Sequence, residues 1–171
     1  ILVSARHLDA VWAWPADPAE EGVRWILGPG PDGILVPPGD RFARQHAPEG
    51  QADGTVLVYD NGAGRAEVTG ADVDVDFSRV VQYAVDPEAG TAELVWEYRR
   101  EGDDGPIYAA VVGDVDRLPN GNTLITDGFL PDLRPQIAEI DEADRLVRLI
   151  TLGRAEFGWL VYRAERVEPL G

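Results

Sequence analysis

Two stretches decide the fold: Asp53-Gly54-Thr55-Val56-Leu57-Val58-Tyr59-Asp60-Asn61-Gly62 and Asn120-Gly121-Asn122-Thr123-Leu124-Ile125-Thr126-Asp127-Gly128. They align at an offset of 67 residues, and each is a turn dipeptide followed by a run of strand-favouring residues. Asp-Gly and Asn-Gly provide the left-handed backbone that tight hairpins need, while Val, Leu, Ile, Thr and Tyr suit a pleated, half-buried surface. Ile1-Leu2-Val3-Ser4 takes the place of the corresponding strand in an earlier copy. Each copy holds about four short strands, the content of one propeller blade. The expected fold class is therefore all-β, a β-propeller of which roughly two and a half blades are present, with a β-sandwich as the alternative.

Strands are expected around these two stretches at Ile1 to Arg6, Asp9 to Trp14 and Gly22 to Leu27. The Pro- and Gly-rich run from Gly28 to Asp40 reads as a loop. His46 lies at a strand start, and strands follow from Thr55 to Tyr59, Arg79 to Val85 and Thr91 to Tyr98, with a loop between Tyr59 and Arg79. Beyond the polar stretch Arg99 to Pro106, strands are expected at Tyr108 to Leu118, Asn122 to Gly128, Gln136 to Asp141, Arg145 to Leu152 and Phe157 to Val167. In blade terms, 1–28 ends one blade, 29–100 is the blade with the Gln-His pair, 101–152 is the next, and 153–171 is a terminal strand. So few blades cannot close a ring. Together with the absence of methionine and a start at Ile1 already within strand pattern, this reads as part of a longer protein whose remaining blades lie upstream.

The formal charge is −16, and all 15 basic residues are arginine. Such a surface repels phosphate backbones and anionic lipid, so neither nucleic acid nor a membrane is expected as a partner. No apolar run is long enough for a spanning helix. Without cysteine there is no disulfide, thiolate nucleophile or thiolate metal site. An anionic substrate would have to be met by a local group of arginines.

Two motifs match by letter only. Gly28-Pro29-Gly30-Pro31-Asp32-Gly33 satisfies a dinucleotide fingerprint, but prolines fill it and no helix follows to receive a pyrophosphate. Asp72, Asp74 and Asp76 space like the first ligands of a calcium loop, yet Phe77 stands where glycine is needed and Tyr83 where the closing glutamate should be. They read as a solvated face. No metal and no cofactor are expected.

In chain order, Ser4-Ala5-Arg6-His7, Val23-Arg24-Trp25-Ile26-Leu27-Gly28, Gln45-His46, Tyr59-Asp60-Asn61-Gly62, Ser78-Arg79-Val80-Val81-Gln82-Tyr83, Val95-Trp96-Glu97-Tyr98, Leu118-Pro119-Asn120-Gly121-Asn122-Thr123-Leu124-Ile125 and Val161-Tyr162-Arg163-Ala164-Glu165-Arg166 span nearly the whole chain. This ordered set resembles the C-terminal part of the arylsulfotransferase family, the PAPS-independent aryl-sulfate sulfotransferases. The resemblance implies a six-bladed propeller with its site in the central channel. It also implies ping-pong transfer of a sulfuryl group from a phenolic sulfate donor to a phenol acceptor through a sulfohistidine, in a periplasmic or extracellular protein. On the same resemblance His46 is the nucleophile and Arg6 binds the sulfuryl oxygens. The family's His-x-Asn segment, its further histidine and its cysteines have no counterpart here, which implies that this piece alone is inactive or nearly so. A homodimer is a further assembly left open.

Imidazole is neutral near pH 7 and leaves readily once sulfated, and a guanidinium fork suits two sulfuryl oxygens. Tyr108, Phe129 and Trp159, near loops, are candidates to stack on a phenol. Trp12, Trp14, Trp25 and Trp96 fall at core-like spacing and are expected to pack blades. If Arg6 and His7 share a strand they point to opposite faces, which gives His7 a structural role. Arg79 is expected either to pair with Asp60 or another buried acid or to line the channel, the pair being favoured, and Asp60 or Asn61 to orient the His46 ring. The rival reading is a non-catalytic propeller module that binds a protein or glycan on its open face.

Overall fold

The computed structural model describes residues 1–153 and 158–167. Three four-stranded sheets follow one another along the chain. The first holds β1 (Leu2–Ala5), β2 (Ala10–Ala13), β3 (Trp25–Leu27) and β4 (Gly33–Ile34). The second holds β5 (His46–Gly50), β6 (Val56–Asp60), β7 (Arg79–Asp86) and β8 (Thr91–Tyr98), with a short helix α1 (Arg65–Thr69) between β6 and β7. A two-stranded arm, β9 (Glu101–Gly102) and β10 (Gly105–Pro106), leads to the third sheet of β11 (Asp114–Arg117), β12 (Thr123–Asp127), β13 (Gln136–Ile140) and β14 (Leu146–Thr151). Within each sheet neighbours in space are neighbours in sequence, antiparallel except for the parallel pair β3 and β4. This is the meander of a propeller blade, repeated in a partial, propeller-like array that does not close on itself.

The array follows from a period of two with both faces apolar. All of Val56-Leu57-Val58-Tyr59-Asp60 is buried. Val56 and Val58 join Val81 and Tyr83 against Val11, Leu27 and Ile34 of the first sheet. Leu57 and Tyr59 join Val80 against Val115, Ile125, Ala138 and Ile140 of the third. A sheet whose strands read as continuous apolar runs must be covered on both sides, and the second sheet is. By contrast β14 keeps Leu146, Val147, Leu149 and Ile150 exposed. The first strands come together: β5 lies against both β1 and β11.

The repeat is exact in structure, since β6 and β12 are both second strands and their bounds differ by the same 67 residues. Each ends in a buried aspartate held by arginine, Asp60 by Arg65 and Arg79, Asp127 by Arg100. Tyr59 ties the two sheets by donating its hydroxyl to Asp127 Oδ1 at 2.7 Å.

Several expectations are corrected. Within the stretch Gly28 to Asp40 read as loop, β4 forms and completes a four-stranded sheet with β1, β2 and β3. Arg6–Leu8 leaves the strand as a 3₁₀ turn, so alternation does not separate Arg6 from His7. The expected strand Tyr108 to Leu118 forms a ladder only from Asp114, because Val112 and Gly113 both adopt positive φ. Helix α1 was not expected; Asp76 begins it by accepting the Gly64 and Arg65 N–H groups at 2.9 Å each, which is the role of that acid in the aspartate run. Residues 158–167 form no ladder, their backbone being tied instead by Val161 N–H to Gly128 O at 3.0 Å; Phe157 lies outside the described residues. Trp25 and Trp96 pack against the two cores as expected, but Trp14 is exposed.

Candidate active site

His46 opens β5 between two residues of left-handed backbone, Arg44 at φ +57° and Ala47 at φ +48°. Non-glycine residues enter this region at a cost of about 1–3 kcal/mol each, and they persist only where neighbours hold them. Asp9 holds Arg44, accepting its N–H at 2.7 Å and pairing with its guanidinium at 3.4 Å. Gln45 is fully buried and donates to Ala10 O at 2.8 Å, while Ser4 Oγ donates to Gln45 O at 2.9 Å. The first sheet therefore anchors the segment that presents His46.

The imidazole Nδ1 lies 2.6 Å from Asn61 Oδ1. Asn61, fully buried directly after β6, has its amide nitrogen 2.7 Å from the carbonyls of both Ala109 and Val112. Burial holds the His46 pKa below the usual 6.5, the Asn61 hydrogen bond opposes this, and the positive charge of Arg6 lowers it further. The net lowering favours the neutral imidazole. The ring of Tyr162 meets it edge-on, with centroids 6.2 Å apart.

Arg6 extends from the turn after β1. Its Nη2 donates to Ala110 O at 3.0 Å and its Nη1 lies 3.3 Å from His7 Nε2, while its buried Nε has no partner among the described residues. His7 itself is exposed and accepts Arg44 Nη1 with its backbone carbonyl at 3.1 Å. Of the three aromatic candidates, Tyr108 is half-buried with its hydroxyl on Asp76 Oδ2 at 3.3 Å. Phe129 is half-buried and Trp159 is 51% exposed; the Val161 to Gly128 bond brings their two segments side by side. The ring that packs on His46 is Tyr162, which lay in a matching motif but carried no periodic signal of a site.

Behind Asn61 stands a structural network. Asp60 Oδ2 accepts from Arg65 Nη1 and Arg79 Nε, both at 2.9 Å, and Arg79 also reaches Glu97 at 2.6 Å. Arg79 is therefore the buried partner of Asp60. Arg65, equally buried, fell in a stretch read as loop and its part in this network was not expected. Among the described residues, no three His, Asp or Glu side chains form a metal-binding group.

Residues 1–163 match the model of the arylsulfotransferase (ASST) family. The chain belongs to the arylsulfotransferase family. It is 31% identical over 105 residues, 58% of its length, to the arylsulfate sulfotransferase AssT of Escherichia coli O6:H1. It is also 31% identical over 98 residues, 53% of its length, to the arylsulfate sulfotransferase AssT of Lelliottia amnigena. These matches span only 17% and 16% of those relatives.

Proposed function

We propose that the protein transfers a sulfuryl group from a phenolic sulfate ester to a phenol by a ping-pong reaction in which His46 carries the group. The observation that supports this most is a half-buried imidazole, its pKa lowered, held by a fixed amide beside a guanidinium whose buried Nε–H has no partner among the described residues. In the first half-reaction the Nε2 lone pair attacks sulfur, the N–S bond forms and the S–O bond to the aryl group breaks. The phenolate leaves with that electron pair and takes its proton from solvent. In the second, the acceptor phenol oxygen attacks sulfur, the N–S bond breaks, neutral imidazole is restored and the phenol proton passes to solvent.

Arg6 Nε would donate to a sulfuryl oxygen, a charge-assisted bond where charge is spread in the transition state. Tyr108, Phe129 and Trp159 are proposed to line the phenol, with Tyr162 bordering the nucleophile. Steady-state kinetics of the protein at its full encoded length, with p-nitrophenyl sulfate as donor and phenol as acceptor, test this reading. Parallel double-reciprocal lines, abolished turnover in His46→Ala and a large loss in Arg6→Ala are expected. Transfer undiminished in His46→Ala overturns it.

A further inference from the structure

We propose that Asn61 is the positioning residue that fixes His46 as its Nδ1–H tautomer, and that the carbonyls of Ala109 and Val112 fix Asn61 in turn. The proposal rests on the sulfuryl-transfer reading for its purpose but not for its geometry.

An amide's two ends look alike in shape, and only its partners decide which way it points. Here the partners leave one choice. The Asn61 atom at 2.7 Å from both Ala109 O and Val112 O faces two groups that can only accept. It must be the NH₂, since an oxygen there would oppose two carbonyl lone pairs in a buried site. Oδ1 is thereby turned to the imidazole at 2.6 Å, and Oδ1 can only accept. Nδ1 therefore carries the proton, and the lone pair resides on Nε2. Free imidazole side chains favour the opposite tautomer, so the protein imposes this one.

The backbone that supplies the two carbonyls is itself constrained. Val112 has φ +53°, a conformation that a β-branched residue adopts only when forced. Gly113 follows at φ +129°, with the Tyr59 ring so close that a Cβ there would stand 2.4 Å from it. Ser78 closes the arrangement, donating to Asn61 O at 2.9 Å and accepting from Ala109 N–H at 2.9 Å. The strain is thus located where the segment leading into the third sheet aims its carbonyls at the second sheet's amide, and through it sets the nucleophile on β5.

A neutral amide has a second consequence. Attack by Nε2 with Nδ1–H retained produces an N-sulfo imidazolium, a good leaving group. Asn61 stabilises that ring without removing its proton. A carboxylate at this position would hold the cation more strongly, raise the His46 pKa against the lowering by burial and by Arg6, and slow the second half-reaction.

Two-bond ¹H–¹⁵N correlation spectra of the ¹⁵N-histidine-labelled protein test the assignment directly. Residues 1–171 hold two histidines, and in the full-length protein the signals that vanish in His46→Ala are those of His46. Above its pKa, His46 is expected to show a protonated Nδ1 and a bare Nε2 in the wild type. Asn61→Ala is expected to convert it to the Nε2–H form and to slow sulfation by p-nitrophenyl sulfate tenfold or more. Asn61→Asp is expected to keep the Nδ1–H form, move the acid limb of the sulfation profile to higher pH and lengthen the lifetime of the adduct. An Nε2–H tautomer in the wild type overturns the proposal even if the variants do not fold, and so does a retained Nδ1–H form in Asn61→Ala. The correct tautomer without any adduct in the wild type would instead overturn the sulfuryl-transfer reading and leave the positioning role standing.

Discussion

Replacing Asp60 by alanine is the most severe single test of how the second sheet is held. Its carboxylate is fully buried and accepts four hydrogen bonds, from Arg65, Arg79 and the N–H groups of Ala43 and Gly62. Arg79 keeps Glu97 and the carbonyls of Gly39 and Arg41, and Gly62 N–H keeps Ala43 O. Arg65, with side-chain exposure of 2%, keeps the carbonyls of Phe77 and Arg41 but loses its carboxylate, so what is left uncompensated is its buried charge and the N–H of Ala43. An uncompensated buried charge costs about 3–5 kcal/mol and an orphaned buried donor about 1–3. Because the two effects overlap, Asp60→Ala is expected to lose about 4–6 kcal/mol, a large part of a typical stability of about 5–15 kcal/mol. Urea unfolding followed by tryptophan fluorescence reads it as a shift in midpoint with little change in slope. Asp60→Asn, which keeps the acceptor for Ala43, is expected to lose about 3 kcal/mol, and adding Arg65→Met to Asp60→Ala to recover at least half of the loss. A loss below about 1 kcal/mol, or no recovery on removing Arg65, would refute the stranded-charge reasoning.

Other outcomes follow from the same geometry. Since the His46 pKa is lowered on folding, its neutral form favours the folded state above pH 6.5 and this contribution fades as pH falls through the folded value. The sulfation rate should therefore hold flat at neutral pH and fall only below 6.5, and Arg6→Gln should move that limb upward. Asp114 is pushed the other way, to about 6, first by burial and then by Asp116. The sign reverses: its stabilising protonated form is complete below 3.8 and lost as pH rises through 6. Asp114→Asn should therefore raise stability at pH 7 by about 1 kcal/mol after solvent screening, with the gain gone by pH 4 in parallel urea titrations. Gly62→Ala would place a Cβ 1.9 Å from Phe77 O at φ +73°, and thermal melting should register a loss of at least about 3 kcal/mol. Tyr162 is 62% exposed, so Tyr162→Ala should change stability by no more than about 0.5 kcal/mol while bringing the His46 pKa, followed by NMR, back towards 6.5.

How far the sequence could be read differs from element to element. The second strands of two sheets were legible to within a residue or two, because a turn dipeptide followed by strand-favouring residues marks both Val56–Asp60, expected as Thr55 to Tyr59, and Thr123–Asp127, expected within Asn122 to Gly128. The Asp60–Arg79 pair was the favoured of two alternatives for Arg79, which starts the next strand and there needs a buried acid. The breaks at Arg6 and Val112 were not: one 3₁₀ turn is open to most sequences and so leaves no local signal, and a β-branched residue reaches positive φ only through tertiary hold. The same limit applies to the site. His46 and Arg6 entered by resemblance to a family, and Asn61 as one of two candidates to orient the ring. The choice between Asp60 and Asn61 depends on which faces the arginines and which the Ala109 and Val112 carbonyls. Tyr162 reaches His46 because the segment from 158 to 167 packs back by a close backbone approach at Gly128, where a Cβ would stand 2.0 Å from Val161 O.

Whether His46 carries the sulfuryl group is read by intact mass spectrometry of the full-length protein after brief exposure to p-nitrophenyl sulfate, followed by peptide mapping. A single sulfuryl adduct on His46, absent from His46→Ala and discharged by phenol, is the predicted result. A folded protein that acquires no adduct, or acquires it at another residue, would rule out His46 as the carrier.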